Sequence, residues 1–282
     1  MKMKWTWGVV VAIALASGLT VACGTQDFLQ SSLPSSTVHS MSMRIALPPI
    51  TYIPSPNYNS RNGSPISAIV LHHTATMATA AQTAQFFQNP AVQVSSHYIV
   101  GRHGEIIRCV PDQDRAWHAG LSIFQGVSNV NNYSIGIEIS NVGDSIEPYP
   151  AAQVASVVKL MAYLAQTYNI PLSRVTRHRD ICIPPGRKID TSNNFDEAYA
   201  IQAAQDLLDG KSMPPYKATV PPPGYDPSQQ FYTVKAGDTF GSIADDRYDT
   251  SAMGPAIERL NPGATLEPGT RLRMPTNYDL AF

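Results

Sequence analysis

The sequence predicts an α/β fold: a mixed central β-sheet flanked by helices, followed by a small compact unit. Three observations lead to this prediction. Strand-like and helix-like segments alternate between residues 50 and 210. A proline-rich segment, residues 211–230, then interrupts the periodic pattern and predicts a semi-rigid linker. Residues 231–276 contain no cysteine, so no disulfide can stabilise them. A unit this small must then depend on a tightly packed core.

The strands are predicted from composition and alternation. Residues 64–75 form a β-branched apolar run behind a proline, which is typical of a buried strand. Residues 95–110 predict two strands around a turn at 102–104. In residues 134–140 the isoleucines recur at every second position, which places them on one face of a strand.

The helices are predicted from spacing and from their ends. Residues 151–170 place apolar side chains on one stripe, and a proline stands on each side of the segment. Residues 79–89 and 195–210 have shorter versions of the same pattern, ended by Pro90 and Gly210. Helices that alternate with strands in this way predict a sheet covered by helices.

Bulk composition excludes one class of partner. The chain has 282 residues, of which 43% are hydrophobic, enough for a sizeable core. Its formal net charge is −1, which gives no electrostatic reason to bind nucleic acid. We therefore expect no nucleic-acid partner, and a monomer is the default expectation.

The first residues read as a targeting segment. A short basic start precedes an apolar stretch that is too short to span a bilayer, and small residues follow it. Residues 1–23 resemble a bacterial lipoprotein signal, in which Cys23 is the lipidated residue. Ordinary signal cleavage near Cys23 is the alternative. Residues 24–49 are rich in Ser, Thr and Pro and predict a tether between a membrane anchor and the first domain.

Two cysteines remain if Cys23 is lipidated. In an oxidising compartment, Cys109 and Cys182 form an even pair, and a disulfide between them is one hypothesis. The other is that both are buried, unpaired thiols that act as small hydrophobic side chains.

Residues suited to metal chemistry occur in two distant segments. His72 and His73 end the apolar run at 64–75, and His178 and Asp190 lie in a loop rich in proline and glycine. Two histidines and one aspartate can form a three-ligand zinc site with an open fourth position, as in catalytic zinc sites. Glu138 lies in an apolar strand-like run, where a lone carboxylate indicates a function.

Four blocks occur in the order found in one enzyme family. They are IVLHHTA, VSSHYIVGRHGEIIRCVPDQDRAWHAG, NNYSIGIEIS and the RHRD…GRKID loop. They resemble the zinc-dependent N-acetylmuramoyl-L-alanine amidases, a family that includes the peptidoglycan recognition proteins. The resemblance implies an amidase domain over residues 50–210 with the fold of that family.

The resemblance also implies roles for individual residues. It assigns the zinc ligands to His72, His178 and Asp190, and it makes Glu138 the general base and Lys188 the group that stabilises the oxyanion. His73 is the runner-up to His72. The loop before Asp190 is about two residues longer than the family pattern, so Asp180 and Cys182 remain lower-ranked alternatives to Asp190.

Four further residues are expected near the substrate: His97, Trp117, His118 and Asn132. An indole face suits the apolar side of a sugar or a peptide stem. A purely structural role is the alternative for His97, core packing for Trp117, and a turn for Asn132.

The C-terminal segment resembles a second family. Residues 231–276 contain YTVKAGDTFGSIA, LNP and PGTRLRMP, which resemble a LysM module. That resemblance implies a small βααβ fold and binding of glycan chains, with residues 277–282 as a tail.

Together these resemblances imply a zinc amidase that cleaves peptidoglycan between N-acetylmuramic acid and L-alanine. The expected location is the bacterial cell envelope, as an outer membrane lipoprotein facing the periplasm or otherwise as a periplasmic or extracellular protein. A non-catalytic peptidoglycan-binding protein is the rival interpretation. A zinc peptidase that cuts within the stem peptide is a second alternative.

Overall fold

The computed structural model describes residues 44–226, 231–248 and 251–275. The predicted signal segment with Cys23, most of the predicted tether and the tail at 277–282 therefore lie outside the described residues. Across the described ranges, no helix is both long enough and apolar enough to cross a membrane.

The described residues form twelve strands and six α-helices. The strands are β1 (Thr51–Tyr52), β2 (Tyr58–Ser60), β3 (Ala68–His73), β4 (Tyr98–Val100), β5 (Ile106–Arg108), β6 (Asp114–Ala116), β7 (Ile123–Phe124), β8 (Val127–Ser128), β9 (Ser134–Ile139), β10 (Val175–Arg177), β11 (Phe231–Thr233) and β12 (Arg271–Arg273). The helices are α1 (Ala80–Phe87), α2 (Ala151–Tyr168), α3 (His178–Ile181), α4 (Glu197–Leu208), α5 (Phe240–Tyr248) and α6 (Gly254–Leu260).

Six of the strands form the central sheet, in the order β1-β5-β4-β9-β3-β10. The β4–β5 pair is antiparallel, as the predicted turn requires, and the other neighbouring pairs in this sheet are parallel. Helices cover the sheet, which confirms the predicted α/β class with a mixed sheet. Parallel neighbours bring the C-terminal ends of β3, β9 and β10 to one edge.

Helices α2 and α4 cover one face of the sheet. Alternate residues of β3 and β9 face them, because successive strand residues point to opposite faces. The resulting core includes Ile69, Leu71, Ile135 and Ile137, all of them fully buried. Burying aliphatic side chains of this size contributes about 1.5–3 kcal/mol each, so this face supplies much of the stability of the fold.

Helix α1 lies against the opposite face, where Phe87 packs with Ile99 and Ile107. A capping box begins this helix: the Thr79 hydroxyl accepts from the Gln82 backbone N–H, and the Gln82 side chain accepts from the Thr79 N–H. The predicted helix at 79–89 is therefore correct in place and slightly long at its end.

Several short elements have no clear signal in the sequence. Strand β10 and helix α3 follow one another without a gap, so His178 begins a helix directly after a strand. Each is only three or four residues long and is held by the sheet and the neighbouring loops rather than by a repeating pattern.

The C-terminal unit has the predicted βααβ order. Strands β11 and β12 pair in antiparallel fashion, with Tyr232 opposite Leu272. Ile243, Ile257 and Leu272 are fully buried in its core. Thr239 caps α5 through its hydroxyl, which accepts from the Ser242 backbone N–H.

Cys109 and Cys182 are both buried, and both are free thiols. The structure therefore contradicts the disulfide hypothesis and agrees with the alternative of two buried, unpaired cysteines. Burial raises the pKa of the Cys109 thiol to about 12, so this thiol stays protonated near neutral pH.

Candidate active site

Three neighbouring strand ends position the polar residues of the site. His72 and Glu138 are direct partners in the β3–β9 register, so both side chains lie on the α1 face of the sheet. His178 is the first residue after β10, which pairs with the other side of β3. Crevices at the C-terminal ends of parallel strands are the usual ligand-binding places of α/β sheets.

Side-chain atoms from His72, His178 and Asp190 converge at this edge. Asp190 Oδ2 lies 2.8 Å from His72 Nδ1 and 3.0 Å from His178 Nδ1. The two Nδ1 atoms are 3.1 Å apart. All three residues are almost completely buried, and the three atoms are close enough for one ion to contact them all.

The tautomer of His178 follows from its second ring nitrogen. Nε2 lies 3.1 Å from the carbonyl oxygen of Ala119, which can only accept a hydrogen bond. Nε2 therefore carries the proton. Burial lowers the pKa of His178 to about 4, so the ring is neutral near pH 7. A neutral ring protonated at Nε2 directs the lone pair of Nδ1 toward Asp190.

The tautomer of His72 is set through a chain of two further residues. The Ser134 hydroxyl donates to the Val130 carbonyl at 2.7 Å, so it accepts from His118 Nε2 at 3.2 Å. Burial holds the pKa of His118 well below its ordinary value, so its ring is neutral and its Nδ1 accepts. That atom lies 3.0 Å from His72 Nε2, which must donate. When the His72 ring is neutral, its Nδ1 lone pair is thus also directed toward Asp190.

Two imidazole lone pairs and one carboxylate oxygen therefore point at the same place. The carboxyl group of Asp190 is a much stronger acid than an imidazolium, so Asp190 is the anion beside the two rings. Its second oxygen, Oδ1, is buried without a hydrogen-bond partner among the described residues. Three electron-pair donors in contact repel one another unless a cation lies between them. Nitrogen and oxygen donors of this kind fit a zinc ion.

Glu138 provides a second carboxylate beside the three converging residues. Burial raises its pKa to about 7, and the charge of Asp190 adds to this effect, whereas His72 and Lys188 oppose it. Its Oε2 atom is buried without a hydrogen-bond partner in the described part of the chain. An unsatisfied buried carboxylate oxygen is costly for folding and is expected where a substrate or a water molecule will supply the missing bond.

Lys188 lines the same cleft and is 9% exposed. Burial lowers the pKa of its ammonium, while the nearby Asp190 and Glu138 carboxylates act in the opposite direction. The cleft thus combines a carboxylate that can accept a proton with a cationic side chain.

The sequence matches a known family over these same residues. Residues 62–193 match the family described as N-acetylmuramoyl-L-alanine amidase. The 1,6-anhydro-N-acetylmuramyl-L-alanine amidase AmpD of Haemophilus influenzae is 34% identical over 162 residues, covering 51% of this chain and 86% of the relative. The chain belongs to the N-acetylmuramoyl-L-alanine amidase family.

Another relative in the amidase family is N-acetylmuramoyl-L-alanine amidase AmiD of Escherichia coli. It is 33% identical over 149 residues, covering 46% of this chain and 50% of AmiD. A solved structure of E. coli AmiD with the substrate anhydro-N-acetylmuramic acid-L-Ala-D-gamma-Glu-L-Lys superposes with a TM-score of 0.41 at 30% identity, covering 55% of this chain and 59% of that chain.

The three lower-ranked candidates for metal ligands make other contacts. His73 alternates to the other face of β3, and its Nδ1 accepts from the Ser192 backbone N–H at 3.0 Å. Asp180 is half-exposed and pairs with Arg177 at 2.8 Å. The Cys182 Sγ atom lies near the carbonyls of Arg179 and Pro184. None of the three joins the group formed by His72, His178 and Asp190.

The four expected substrate residues separate into two pairs. Trp117 and His118 line the amidase cleft. His97 is fully buried, where its Nδ1 accepts from the Gly136 backbone N–H, and burial beside Arg61 lowers its pKa to about 3. Asn132 is not among the cleft residues, and its Oδ1 accepts from Arg115 Nε at 2.7 Å.

These positions favour the structural alternative for His97 and a role outside the cleft for Asn132. Contact of either residue with the substrate stays a prediction. In a single sequence, a histidine inside an apolar strand and an asparagine in a turn give no signal of which side they face.

Four cleft residues were not anticipated from the sequence: Thr74, Phe87, Val94 and Ser95. The helical spacing of α1 marks Phe87 as buried but does not show that it reaches the site. Ser134, which holds His118 and through it His72, was also missed, because a serine in an apolar strand has no distinguishing pattern.

Proposed function

We propose that this chain is a zinc-dependent N-acetylmuramoyl-L-alanine amidase, which hydrolyses the amide bond between the lactyl group of N-acetylmuramic acid and L-alanine of the stem peptide. The observation that carries the proposal is the convergence of His72 Nδ1, His178 Nδ1 and Asp190 Oδ2 beside Glu138. Membership of the family and the names of the relatives support the choice of substrate.

His72, His178 and Asp190 all line the cleft, so an ion that they held would be accessible from it, as catalytic zinc sites require. A zinc ion held there supplies Lewis-acid polarisation of a carbonyl oxygen and of a water molecule. The Ala119 carbonyl and the chain of His118 and Ser134 fix the two imidazoles in the tautomers that such an ion requires.

Glu138 acts as the general base. A pKa near 7 suits a group that must take a proton from water and later return it. In this reaction the carboxylate accepts the proton of the attacking water and passes it to the nitrogen of the departing L-alanine. Its position on the same face of the sheet as His72 keeps it beside the reacting atoms.

Lys188 stabilises the charge that develops on the carbonyl oxygen as water adds. An ammonium in a largely buried place is worth more in this role than one in water, because the local dielectric is lower. The indole of Trp117, whose Nε1 donates to Asn59 Oδ1 at 2.8 Å, forms a fixed wall for the apolar side of the substrate.

The remaining assignments complete the proposal. Residues 50–210 form the amidase domain, residues 211–230 connect it to the C-terminal unit, and residues 231–276 act as a LysM module that binds glycan chains. Residues 1–23 direct export, with Cys23 as the lipid-bearing residue and residues 24–49 as the tether. The protein then acts in the cell envelope, as an outer membrane lipoprotein facing the periplasm or otherwise as a periplasmic or extracellular enzyme.

Digestion of purified peptidoglycan, with mass spectrometry of the products, tests the proposal. We expect free stem peptides that begin with L-alanine, lost after treatment with a chelator and restored by zinc. Because the names of several relatives specify the 1,6-anhydro form, an anhydro-muropeptide should be compared directly with intact sacculi.

Two outcomes would replace the proposal. Binding to sacculi without cleavage would favour a non-catalytic peptidoglycan-binding protein. Products with a new amino terminus other than L-alanine would favour a peptidase that cuts within the stem.

A further inference from the structure

The loop that carries Lys188 and Asp190 is packed against the C-terminal unit. Ile189 lies between these two residues and is 3% exposed. Its side chain belongs to the hydrophobic cluster whose other buried members all come from the C-terminal unit, among them Tyr248, Met253 and Ile257. Lys188 and Asp190 line the cleft, whereas the residue between them is part of the core of another unit.

A polar contact joins the same unit to the ligand His178. Arg179 follows His178 directly, and its Nη2 donates to the carbonyl oxygen of Tyr248 at 2.8 Å. The backbone N–H of Arg179 donates to the carbonyl oxygen of Asp190 at 2.7 Å. Arg179 thus connects two ligand-bearing segments with the end of helix α5.

The connection between the two units is held at both of its described ends. Near its start, the Tyr199 hydroxyl donates to the Pro214 carbonyl at 2.6 Å, and Tyr216 packs on Tyr199 and the main core. Further along, the Tyr225 hydroxyl donates to Asp144 Oδ2 at 2.7 Å. Residues 211–226 therefore lie along the amidase domain rather than spanning free solvent as a spacer.

We propose that the C-terminal unit braces the metal site, and that Ile189 is the positioning residue through which it does so. The inference rests on the metal site of the proposed function. Asp190 ligates well only if its carboxylate stays beside two imidazoles, and the loop around it contains no long helix or strand of its own. Packing of Ile189 into a folded unit limits the movement of Asp190 and Lys188.

Because binding free energies are reciprocal, packing of the C-terminal unit against the metal site has a second consequence. If docking of the C-terminal unit raises zinc affinity, zinc must stabilise the docked unit by the same free energy. Zinc binding at the sheet edge should therefore also stabilise helix α6, which contributes no ligand.

The test uses full-length variants at a temperature where circular dichroism shows each to be folded. Zinc dissociation constants are measured by competition with a chromogenic chelator. We expect Ile189→Ala to weaken zinc binding by about tenfold or more, in the range that loss of supporting contacts around a metal site causes. Ile189→Val keeps most of the buried side chain and should retain near wild-type affinity.

Two further variants separate bracing from general destabilisation. Leu164→Ala creates a cavity in the main core, at a fully buried position of helix α2, and should lower stability while leaving zinc affinity unchanged. Arg179→Ala removes the side-chain bonds to Tyr248 and to Asn193 but keeps the backbone bond to Asp190, and it should weaken zinc binding severalfold. It serves as the test if Ile189→Ala does not fold.

Hydrogen exchange gives a readout that does not depend on activity. Zinc should slow exchange of the backbone amides in residues 254–260 of the wild-type chain, and this protection should be lost in Ile189→Ala. If wild-type protein binds zinc while Ile189→Ala and Arg179→Ala bind it equally well, the brace is wrong and the proposed function stands. If the wild-type chain does not bind zinc, the proposed metal site itself fails.

Discussion

The two faces of strands β3 and β9 have the same backbone but opposite chemistry. On the face toward α2, the strands present Ile69, Leu71, Ile135 and Ile137, which are fully buried in an aliphatic core. The intervening residues of the same strands, which include His72, Gly136 and Glu138, lie on the other face. The first face contributes to stability, whereas the second holds Glu138 Oε2, which is buried at a cost in stability without a hydrogen-bond partner among the described residues. Neighbouring residues 137 and 138 therefore form a matched pair for mutation.

The largest effect is expected from Glu138→Gln, which keeps the size of the side chain and removes the base. The rate constant for hydrolysis of a muropeptide should fall by about 10²–10⁴-fold, the usual contribution of a positioned general base. Zinc content should be unchanged, because Glu138 is not among the three converging residues. A rate within a factor of three of wild type, at full zinc occupancy, would remove Glu138 from the mechanism.

The neighbouring change Ile137→Ala should have the opposite profile. Truncation of a fully buried isoleucine typically lowers the free energy of unfolding by about 2–5 kcal/mol. Denaturant titration measures this loss, and the rate per folded, zinc-loaded molecule should stay near wild type. An equal loss of rate in the Ile137 and Glu138 variants would mean that the two faces are not functionally distinct.

For zinc-free protein, the pH dependence of the free energy of unfolding gives a further test of the face that carries Glu138. The pKa of Glu138 rises from 4.5 to about 7 on folding, so between these values the unfolded chain ionises while the folded chain does not. Stability is thus lost as pH rises through this window, by at most about 3 kcal/mol.

Glu138→Gln lacks this titration, so its stability relative to wild type should increase between pH 4.5 and 7 and then level off. Chemical denaturation in the presence of a chelator, at pH 5 and pH 8, measures the difference. Equal stability differences at the two pH values would show that Glu138 is not desolvated as the structure indicates.

The smallest effect is expected from Trp117→Ala at the cleft wall. Loss of one aromatic contact is worth about 0.5–1.5 kcal/mol, so KM for a muropeptide should rise by up to about tenfold with little change in kcat. Steady-state kinetics separates the two constants. A large fall in kcat with constant KM would instead place Trp117 among the groups that act on the transition state.

The sequence anticipated the parts of the site that lie in contiguous motifs. His72, Glu138, His178 and Asp190 each stand in a short block with a recognisable pattern, and the structure brings them to one sheet edge. The choice between His72 and His73 depends on which alternate residues of β3 face helix α2. Before the histidines, the residues on both faces of the strand are apolar, so the pattern does not decide it. Only the packed sheet decides it.

Other features depend on contacts that no local pattern encodes. The link from His72 through His118 to Ser134 joins three separate elements. Ile189 is an ordinary apolar residue in a loop, and its burial depends on side chains more than forty positions later in the sequence. The proline-rich segment 211–230 predicted a semi-rigid linker before the C-terminal unit, whereas docking of that unit is a property of two surfaces that the sequence does not display.

Gly136 in strand β9 leaves a space that another residue fills. A β-carbon at this position would lie 2.6 Å from Cγ of His118, so any larger side chain would push that ring away from the strand. The absent side chain thus admits the imidazole that holds His72 in its tautomer. In the segment Ile135–Gly136–Ile137–Glu138, the glycine leaves room for the His118 ring and the glutamate provides a carboxyl group. The two residues lie two positions apart on one face of the strand. Even Gly136→Ala, the smallest possible enlargement, should act at a distance, by displacing His118 from its hydrogen bond with His72 Nε2.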